Sequence, residues 1–317
     1  MIGIPNQRQD VIDIVLGFLS TLSADKLTCK VLIDKEILPK AMTTFLSFRN
    51  TVPTITESSI KLFYNVVTAD HAKSTDTISK NKAFMSEVTN SIITLPTSEP
   101  IVYYGCALLT LILQRADPSV AQGILHGKEA SFTKSLGIML DTFVRAEYYA
   151  HSTPLAVFGL ISVLAVKVVN FPNAFFIAKI HEKIFGAFNE VANENQKSEN
   201  FVFFGLVALC GMCYKYHEGH IALANKEDIK TIVSFLKLFA NDREIVCHTV
   251  SLLLMISNVG HAKDLILNDL ENCVALLLNI VDKYGGFDQV TTNGTVALIE
   301  KLLETNSSIT SLNLSGT

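Results

Sequence analysis

The chain of 317 residues contains no tryptophan and only five arginines: Arg8, Arg49, Arg115, Arg145 and Arg243. Charged residues make up 18% of it, with a net charge of −4 and a pI near 6.1. No cluster of Lys and Arg forms a stripe, which counts against nucleic acid, because contact with a phosphate backbone needs gathered cations. Long apolar runs are missing too. The longest, Leu155–Val166, ends after 12 residues at Lys167, whereas a membrane-spanning helix needs roughly 18 or more. It reads as a buried core helix, and no membrane insertion is expected. The pattern G-x-S-x-G, the phosphate-cradling G-x-x-x-x-G-K-S/T and the dinucleotide fingerprint G-x-G-x-x-G do not occur. Gly285-Gly286 has no phosphate-binding signature after it, and carboxylates such as Asp228, Asp242 and Glu244 have no spacing that suggests acid–base work. The expectation is therefore no catalysis, no cofactor and no small-molecule substrate. The opening stretch, MIGIPNQRQDVID, lacks a basic segment followed by an apolar one, so no secretory signal is read there. Six cysteines without framework spacing read as reduced thiols packed as small core residues, which fits a cytoplasmic protein. Three Asn-x-Ser/Thr sequons, at Asn293, Asn306 and Asn313, carry little meaning without secretion.

What is present is apolar. Hydrophobic residues are 49% of the chain and the mean hydropathy is +0.35, enough for a large continuous core. Apolar residues recur at three and four positions, as in Leu108, Leu111 and Ile112 or Ile232, Phe235, Leu236 and Phe239, which is the spacing of one helix face. Pro53, Pro96, Pro100, Pro118, Pro154 and Pro172 fall between such stripes and mark helix starts and linkers. About a dozen and a half helices and no sheet are expected. They repeat as a set: a long apolar helix ends in an apolar–x–polar motif, and one or two shorter helices follow. The copies are Phe63-Tyr64-Asn65, Ile112-Leu113-Gln114, Val168-Val169-Asn170, Cys213-Tyr214-Lys215 and Ile256-Ser257-Asn258, with weaker ones at Leu22-Ser23-Ala24 and Leu302-Leu303-Glu304. Successive third members lie 41, 49, 56, 45, 43 and 46 residues apart, near the period of about 40–47 expected for armadillo and HEAT arrays. Units of this kind have too much apolar face to bury alone and stack on their neighbours. One domain over residues 1–317 follows, since no shift in composition marks a boundary, and weak terminal copies suit end units that meet water.

Ser59-Ile60-Lys61-Leu62-Phe63-Tyr64-Asn65 and Leu254-Met255-Ile256-Ser257-Asn258-Val259, the latter followed by Gly260-His261-Ala262-Lys263-Asp264-Leu265-Ile266, resemble the third helix of the armadillo-repeat family and its link to the next repeat. The resemblance covers nearly the whole chain and implies an all-α, right-handed solenoid of about six to seven repeats. It further implies a concave groove lined by third helices, with a column at Asn65, Gln114, Asn170, Lys215 and Asn258 that could bond the backbone of an extended peptide. Lys61, Tyr104, Arg115, Lys167 and Tyr216 are further groove candidates, Tyr and Arg being common in binding hot spots. The bland alternative is that Asn, Gln or Lys at helix ends caps or solvates them. Cargo grooves of the importin-alpha type pair each Asn with a Trp one turn earlier; with no Trp, nuclear-signal recognition of that type is not expected. The functional expectation is a protein-binding scaffold, a subunit of a cytoplasmic or cytoskeletal assembly. A nucleic-acid-binding helical repeat or a transport adaptor is the alternative.

Cys210, Cys213, His217 and His220 form C-x2-C-x3-H-x2-H, residue types that zinc favours. Were the stretch one helix, its ends would lie about 15 Å apart, too far to close a tetrahedron, so no metal is expected. Two core cysteines and a helix end with solvated histidines is the plainer reading, and a redox role for the Cys-x-x-Cys lacks its strand-to-helix context. His71 and His261 follow their motif Asn at similar distances, which suggests a role in the inter-helix turn. Asn193–Asn200 reads as a polar loop, and Asn306–Thr317 as a tail or a last short cap.

Overall fold

The computed structural model describes residues 7–35, 37–48, 53–144, 152–194, 198–268 and 273–313. Among them are nineteen α-helices and no strand, as the periodicity predicts. The chain divides into two compact units, Met1–Phe143 with His151–Ala174 and Val144–Ala150 with Phe175–Thr317.

The first unit holds α1 (Gln7–Leu22), α2 (Lys26–Asp34), α3 (Ile37–Phe48), α4 (Pro53–Ala69), α5 (His71–Ser79), α6 (Lys82–Thr94), α7 (Glu99–Arg115), α8 (Pro118–Leu125), α9 (Glu129–Phe143) and α10 (Ser152–Lys167). Long helices α1, α4, α7 and α10 pack side by side in that order, and α3, α6 and α9 form a second row against them. The short helices α2, α5 and α8 each sit against the next long helix. Prolines punctuate this order as expected. Pro53 and Pro118 are first helical residues, Pro100 lies in the first turn of α7, Pro154 in that of α10, and Pro96 stands in a turn. At these places a missing N–H costs nothing. The core is phenylalanine: Phe84 on α6 meets Phe45 at 5.4 Å and Phe63 at 4.5 Å, edge to face, and all three are fully buried. The run at 155–166 is most of α10, with Val157, Phe158, Leu160, Ile161 and Leu164 buried. No helix among the described residues is long and apolar enough to cross a membrane.

α11 (Phe171–Ile177) leads into the second unit, which contains α12 (Ile180–Glu194), α13 (Glu199–Cys213), α14 (His217–Leu223), α15 (Lys226–Leu238), α16 (Arg243–Ile256), α17 (Gly260–Asn268), α18 (Cys273–Tyr284) and α19 (Gln289–Asn313). The plan is the same: α13, α16 and α19 make one row, α12, α15 and α18 the other, and the short α14 and α17 lie against α16 and α19. Phe188 on α12 meets Phe201 at 6.1 Å and Phe235 at 5.1 Å. Side-chain caps start the helices. Asp242 accepts from the N–H groups of Glu244 and Ile245, both at 3.0 Å, and Asn225 from that of Asp228 at 3.0 Å; such caps contribute about 1 kcal/mol each. All six cysteines are unpaired thiols, four of them buried. Of the polar stretch at Asn193–Asn200, Asn195–Lys197 lie outside the described residues, and the tail at Asn306–Thr317 continues α19 as far as Asn313.

Within each unit, long-range side-chain hydrogen bonds among the described residues reach across one repeat. Thr54 donates to Asp13 and Ser98 to Glu57, both 41 residues away, and Ser135 to the Ile93 carbonyl, 42 away. In the second unit Thr231 meets Asn189 across 42 residues, Arg243 pairs with Asp288 across 45 and Tyr284 reaches the Ala240 carbonyl across 44. A globule organised round one centre would spread these separations widely.

Candidate functional site

The long helices α4, α7, α10, α13 and α16 share one burial pattern. In α4 the buried pairs Ile55-Thr56, Ser59-Ile60, Leu62-Phe63 and Val66-Val67 alternate with half-buried Glu57-Ser58, Lys61 and Tyr64-Asn65. In α7 the half-buried set is Tyr103-Tyr104, Ala107 and Thr110-Leu111, and in α13 it is Phe203-Phe204, Val207 and Cys210-Gly211. One stripe of each helix thus faces its neighbours in the row and another stays half-open. Matched in this way, Asn65 aligns with Leu111, Gly211 and Met255, whereas Gln114 and Asn258 align with Thr68, three positions further along. The five residues of the expected column therefore share no common level: Lys215 stands one place beyond the level of Gln114 and Asn258 and Asn170 four, both past the ends of their helices.

The half-open stripes of α4 and α7 bring three of the expected residues together. The Lys61 ammonium lies 5.7 Å from the centroid of the Tyr104 ring, within cation–π range. Tyr104 packs against Tyr103 at 4.8 Å and Tyr64 at 5.4 Å, and Tyr64 lies 5.9 Å from Tyr103. Burial, helped by a hydrogen bond with Tyr103, pushes the Tyr64 phenol up to about 12, so the Tyr64 ring stays neutral at physiological pH. Behind Tyr64 opens a depression of about 350 Å³ lined by Ser23, Ala24, Lys26, Tyr64, Asn65, Thr68 and Ala69. Asn65 is held in its wall by Nδ2, which donates to Ser23 Oγ at 3.0 Å and to the Ser20 carbonyl at 3.3 Å. These bonds use both amide hydrogens and leave Oδ1 as the acceptor on offer.

The other expected residues stand apart from this cluster. Gln114 and Arg115 are exposed in the last turn of α7, where Lys167 Nζ donates to the carbonyls of Gln114, at 3.2 Å, and Ala116. Lys167 thus ties the end of α10 to the carbonyl end of α7, a favourable place for a cation. Asn170 is exposed in the turn after α10, and its carbonyl accepts from Ala174 N–H at 3.2 Å. In the second unit Lys215 is exposed with Nζ 5.5 Å from the Tyr214 ring centroid, and Tyr216 stacks on Phe176 at 5.6 Å. Asn258 does two jobs: Nδ2 donates to the Met255 carbonyl at 3.1 Å, capping α16, and Oδ1 accepts from Lys301. His261 Nε2 lies 2.7 Å from the Ala224 carbonyl, a bond between neighbouring inter-helix turns; the His71 side chain lies outside the described residues.

The Cys/His run is not one helix. α13 stops at Cys213 and α14 starts at His217. Cys210 Sγ donates to the His248 carbonyl at 3.4 Å, burial raises the Cys213 thiol to about 12, and His220 Nε2 contacts the Cys213 carbonyl at 2.8 Å. Among the described residues no three His, Cys, Asp or Glu side chains gather so that they could hold a metal ion.

Sequence reasoning passed over Tyr64, Tyr103, Phe203 and Phe204. A signal was available: Glu99-Pro100-Ile101-Val102-Tyr103-Tyr104-Gly105 and Glu199-Asn200-Phe201-Val202-Phe203-Phe204-Gly205 repeat the same order of residue types. Each copy opens a long helix and sets an aromatic pair on its half-open stripe.

No family model matches the chain, and no curated protein matches it in sequence. Among solved structures, the chain is similar to an engineered protein whose crystal structure was determined by the Northeast Structural Genomics Consortium. The TM-score is 0.64 at 10% identity, over 92% of this chain and 64% of that protein. The chain thus spans somewhat under two thirds of that protein's length, and the likeness is one of all-helical fold.

Proposed function

We propose that the chain is a non-catalytic protein-binding scaffold, an α-solenoid of armadillo type with about six to seven right-handed repeats, serving in a cytoplasmic assembly. The partner is taken up as an extended segment along the half-open stripes of the long helices. One observation carries this reading: every third helix joins one row within its unit, α4, α7, α10, α13 and α16 keep the same half-buried stripe, and on α4 and α7 that stripe gathers three tyrosines, a lysine and an asparagine. Stacked repeats offer such a continuous face and little enclosed volume for chemistry. Aromatic side chains held rigid by their neighbours are suited to contact, because little conformational entropy is lost when they bind.

The test is cross-linking mass spectrometry on the complex captured from native cells with the full chain. Partner cross-links should concentrate on Lys26 and Lys61, and Tyr104→Ala should lower recovery of the partner. Cross-links confined to α2, α5 and α8 would refute the assignment of the binding face. Retention on RNA or DNA that falls steeply with salt would favour the nucleic-acid alternative.

A further inference from the structure

We infer that the chain associates with copies of itself head to tail, the outer side of α19 in one copy covering the outer side of α1 in the next. The joint repeats a packing that the chain already makes inside its rows. It does not depend on the peptide-binding face proposed above.

The seam between neighbouring long helices follows one rule. A Cβ built at Gly105 on α7 would lie 4.0 Å from Ile60 Cγ2 on α4, and one built at Gly294 on α19 would lie 3.6 Å from Val250 Cγ1 on α16. By the burial pattern, Ile60 and Val250 hold the same place on their helices. That place looks forward to the next helix of the row, and the place of Gly105, which Ser59 holds on α4, looks back.

Among the described residues, α1 adjoins only α4 in its row and α19 only α16, so one side of each has no row neighbour. Both of these sides are apolar. Aligning Leu22-Ser23-Ala24 with Phe63-Tyr64-Asn65 puts Ile14 and Phe18 at the backward-looking places of Ile55 and Ser59, which are fully buried in α4. Ile14 is 72% exposed and Phe18 62%. Exposed Val11 precedes them by three residues, so the three form one stripe. On α19 Val296 holds the forward-looking place of Ile60 and Val250, and Leu303 that of Val67. They are 37% and 47% exposed, whereas Ile60, Val67 and Val250 are buried. α1 thus carries the backward half of a seam and α19 the forward half. A terminal repeat that met only water would show a polar outer face instead. The exposed polar residues Asn293, Glu300 and Glu304 align with Glu57, Tyr64 and Thr68, outside the seam, and stay at the rim of the joint.

The receiving side also has room. Val11 and Val15 line a groove of about 200 Å³ between α1 and α3, together with Ile12, Leu16, Leu19 and Ala41. An apolar cavity of about 150 Å³ accepts a benzene ring, so this groove can take a side chain of the incoming copy. Phe18 is bulkier than Ser59 or Gly105, and the Val296 it meets is shorter than Ile60.

Twofold pairing of α1 with α1 is the competing arrangement, and it would leave α19 uncovered. Head-to-tail joining covers both open sides with one joint, closing into a ring or growing as a filament according to the rotation per copy.

The experiment is analytical ultracentrifugation of the full chain from about 1 to about 100 micromolar. The parent should sediment faster as concentration rises and pass beyond a dimer. Phe18→Glu and Leu303→Glu should each weaken association about tenfold or more and leave monomers, because a charge is then buried at the joint. Mixed in equal amounts, the two variants should form a dimer and nothing larger, since one keeps a sound α19 side and the other a sound α1 side. Lys230→Gln, on the exposed side of α15, should behave as the parent. Thermal melts matching the parent would show that the variants fold, and Val11→Gln with Val296→Gln replace any that does not. A parent still monomeric at about 100 micromolar overturns the inference, and so does a mixture without dimer. A parent that stops at a dimer, lost in Phe18→Glu and kept in Leu303→Glu, would replace it with twofold pairing of α1.

Discussion

His181 shows how one side chain can set a pH dependence. It is buried against Phe176, with ring centroids 4.9 Å apart, and its Nδ1 has no hydrogen-bond partner among the described residues. Burial lowers its pKa below the ordinary 6.5; Glu182 pulls it back up and Lys179 adds to the lowering. Above about pH 6.5 the ring is neutral in both folded and unfolded chains, and its pKa shift has no effect on stability. As pH falls below that value the unfolded chain takes up a proton that the folded one refuses, so stability is lost. The loss continues until the folded pKa is passed, at no more than about 1.4 kcal/mol per pH unit. His181→Phe should therefore flatten the urea-derived stability curve between pH 6.5 and 5 relative to the parent. Parallel curves would show that the buried ring contributes no linkage. None of this was legible beforehand, because His181 lies in an ordinary helical stretch and its burial depends on Phe176.

At the scale of elements, α11 and α14 approach at Gly219. A Cβ built there would lie 2.7 Å from Phe176 Cε2 and 2.9 Å from Cζ. The ring has little room to yield, since it stacks on Tyr216 and touches His181. Gly219→Val should cost about 1–3 kcal/mol, seen as a lower urea midpoint with an unchanged slope. Gly219→Ala should cost less, because alanine regains roughly 1 kcal/mol of helix propensity. An unaltered midpoint for the valine variant would mean that α14 can shift away freely. The helices themselves were largely legible in the sequence: the three-and-four spacing found them, and prolines at 53, 100 and 118 found their starts. The break at Tyr214–Tyr216 was legible as well, since the motif Cys213-Tyr214-Lys215 marks a helix end there, and it removes the case of one helix carrying all four Cys and His residues. The misalignment of the column was not legible. Residue types locate a motif near a helix end, but only packing decides which turn of the helix faces water, and Asn65 and Gln114 differ by nearly one turn.

For the molecule as a whole, the decisive quantity is the reach of its contacts. Phe84 is fully buried among Phe45 and Phe63, so Phe84→Ala should remove about 3–5 kcal/mol from its surroundings. Hydrogen exchange should then speed up in α3, α4, α6 and α7, while the amides of α16, α18 and α19 keep their protection. Uniform acceleration over the chain would contradict a fold in which each repeat depends chiefly on its neighbours. The period of 41 to 56 residues read from the motifs anticipated this organisation. The tyrosine cluster could not be foreseen, because it arises where two helices 46 residues apart lie side by side.

That same short reach has a mechanical corollary. Within each unit, helices that lean on the neighbours one step away leave no long clasp among the described residues that must give way all at once. Pulled from its ends, such a unit should pay out in small, similar increments and take them up again on release. It should yield like a spring rather than snap like a latch.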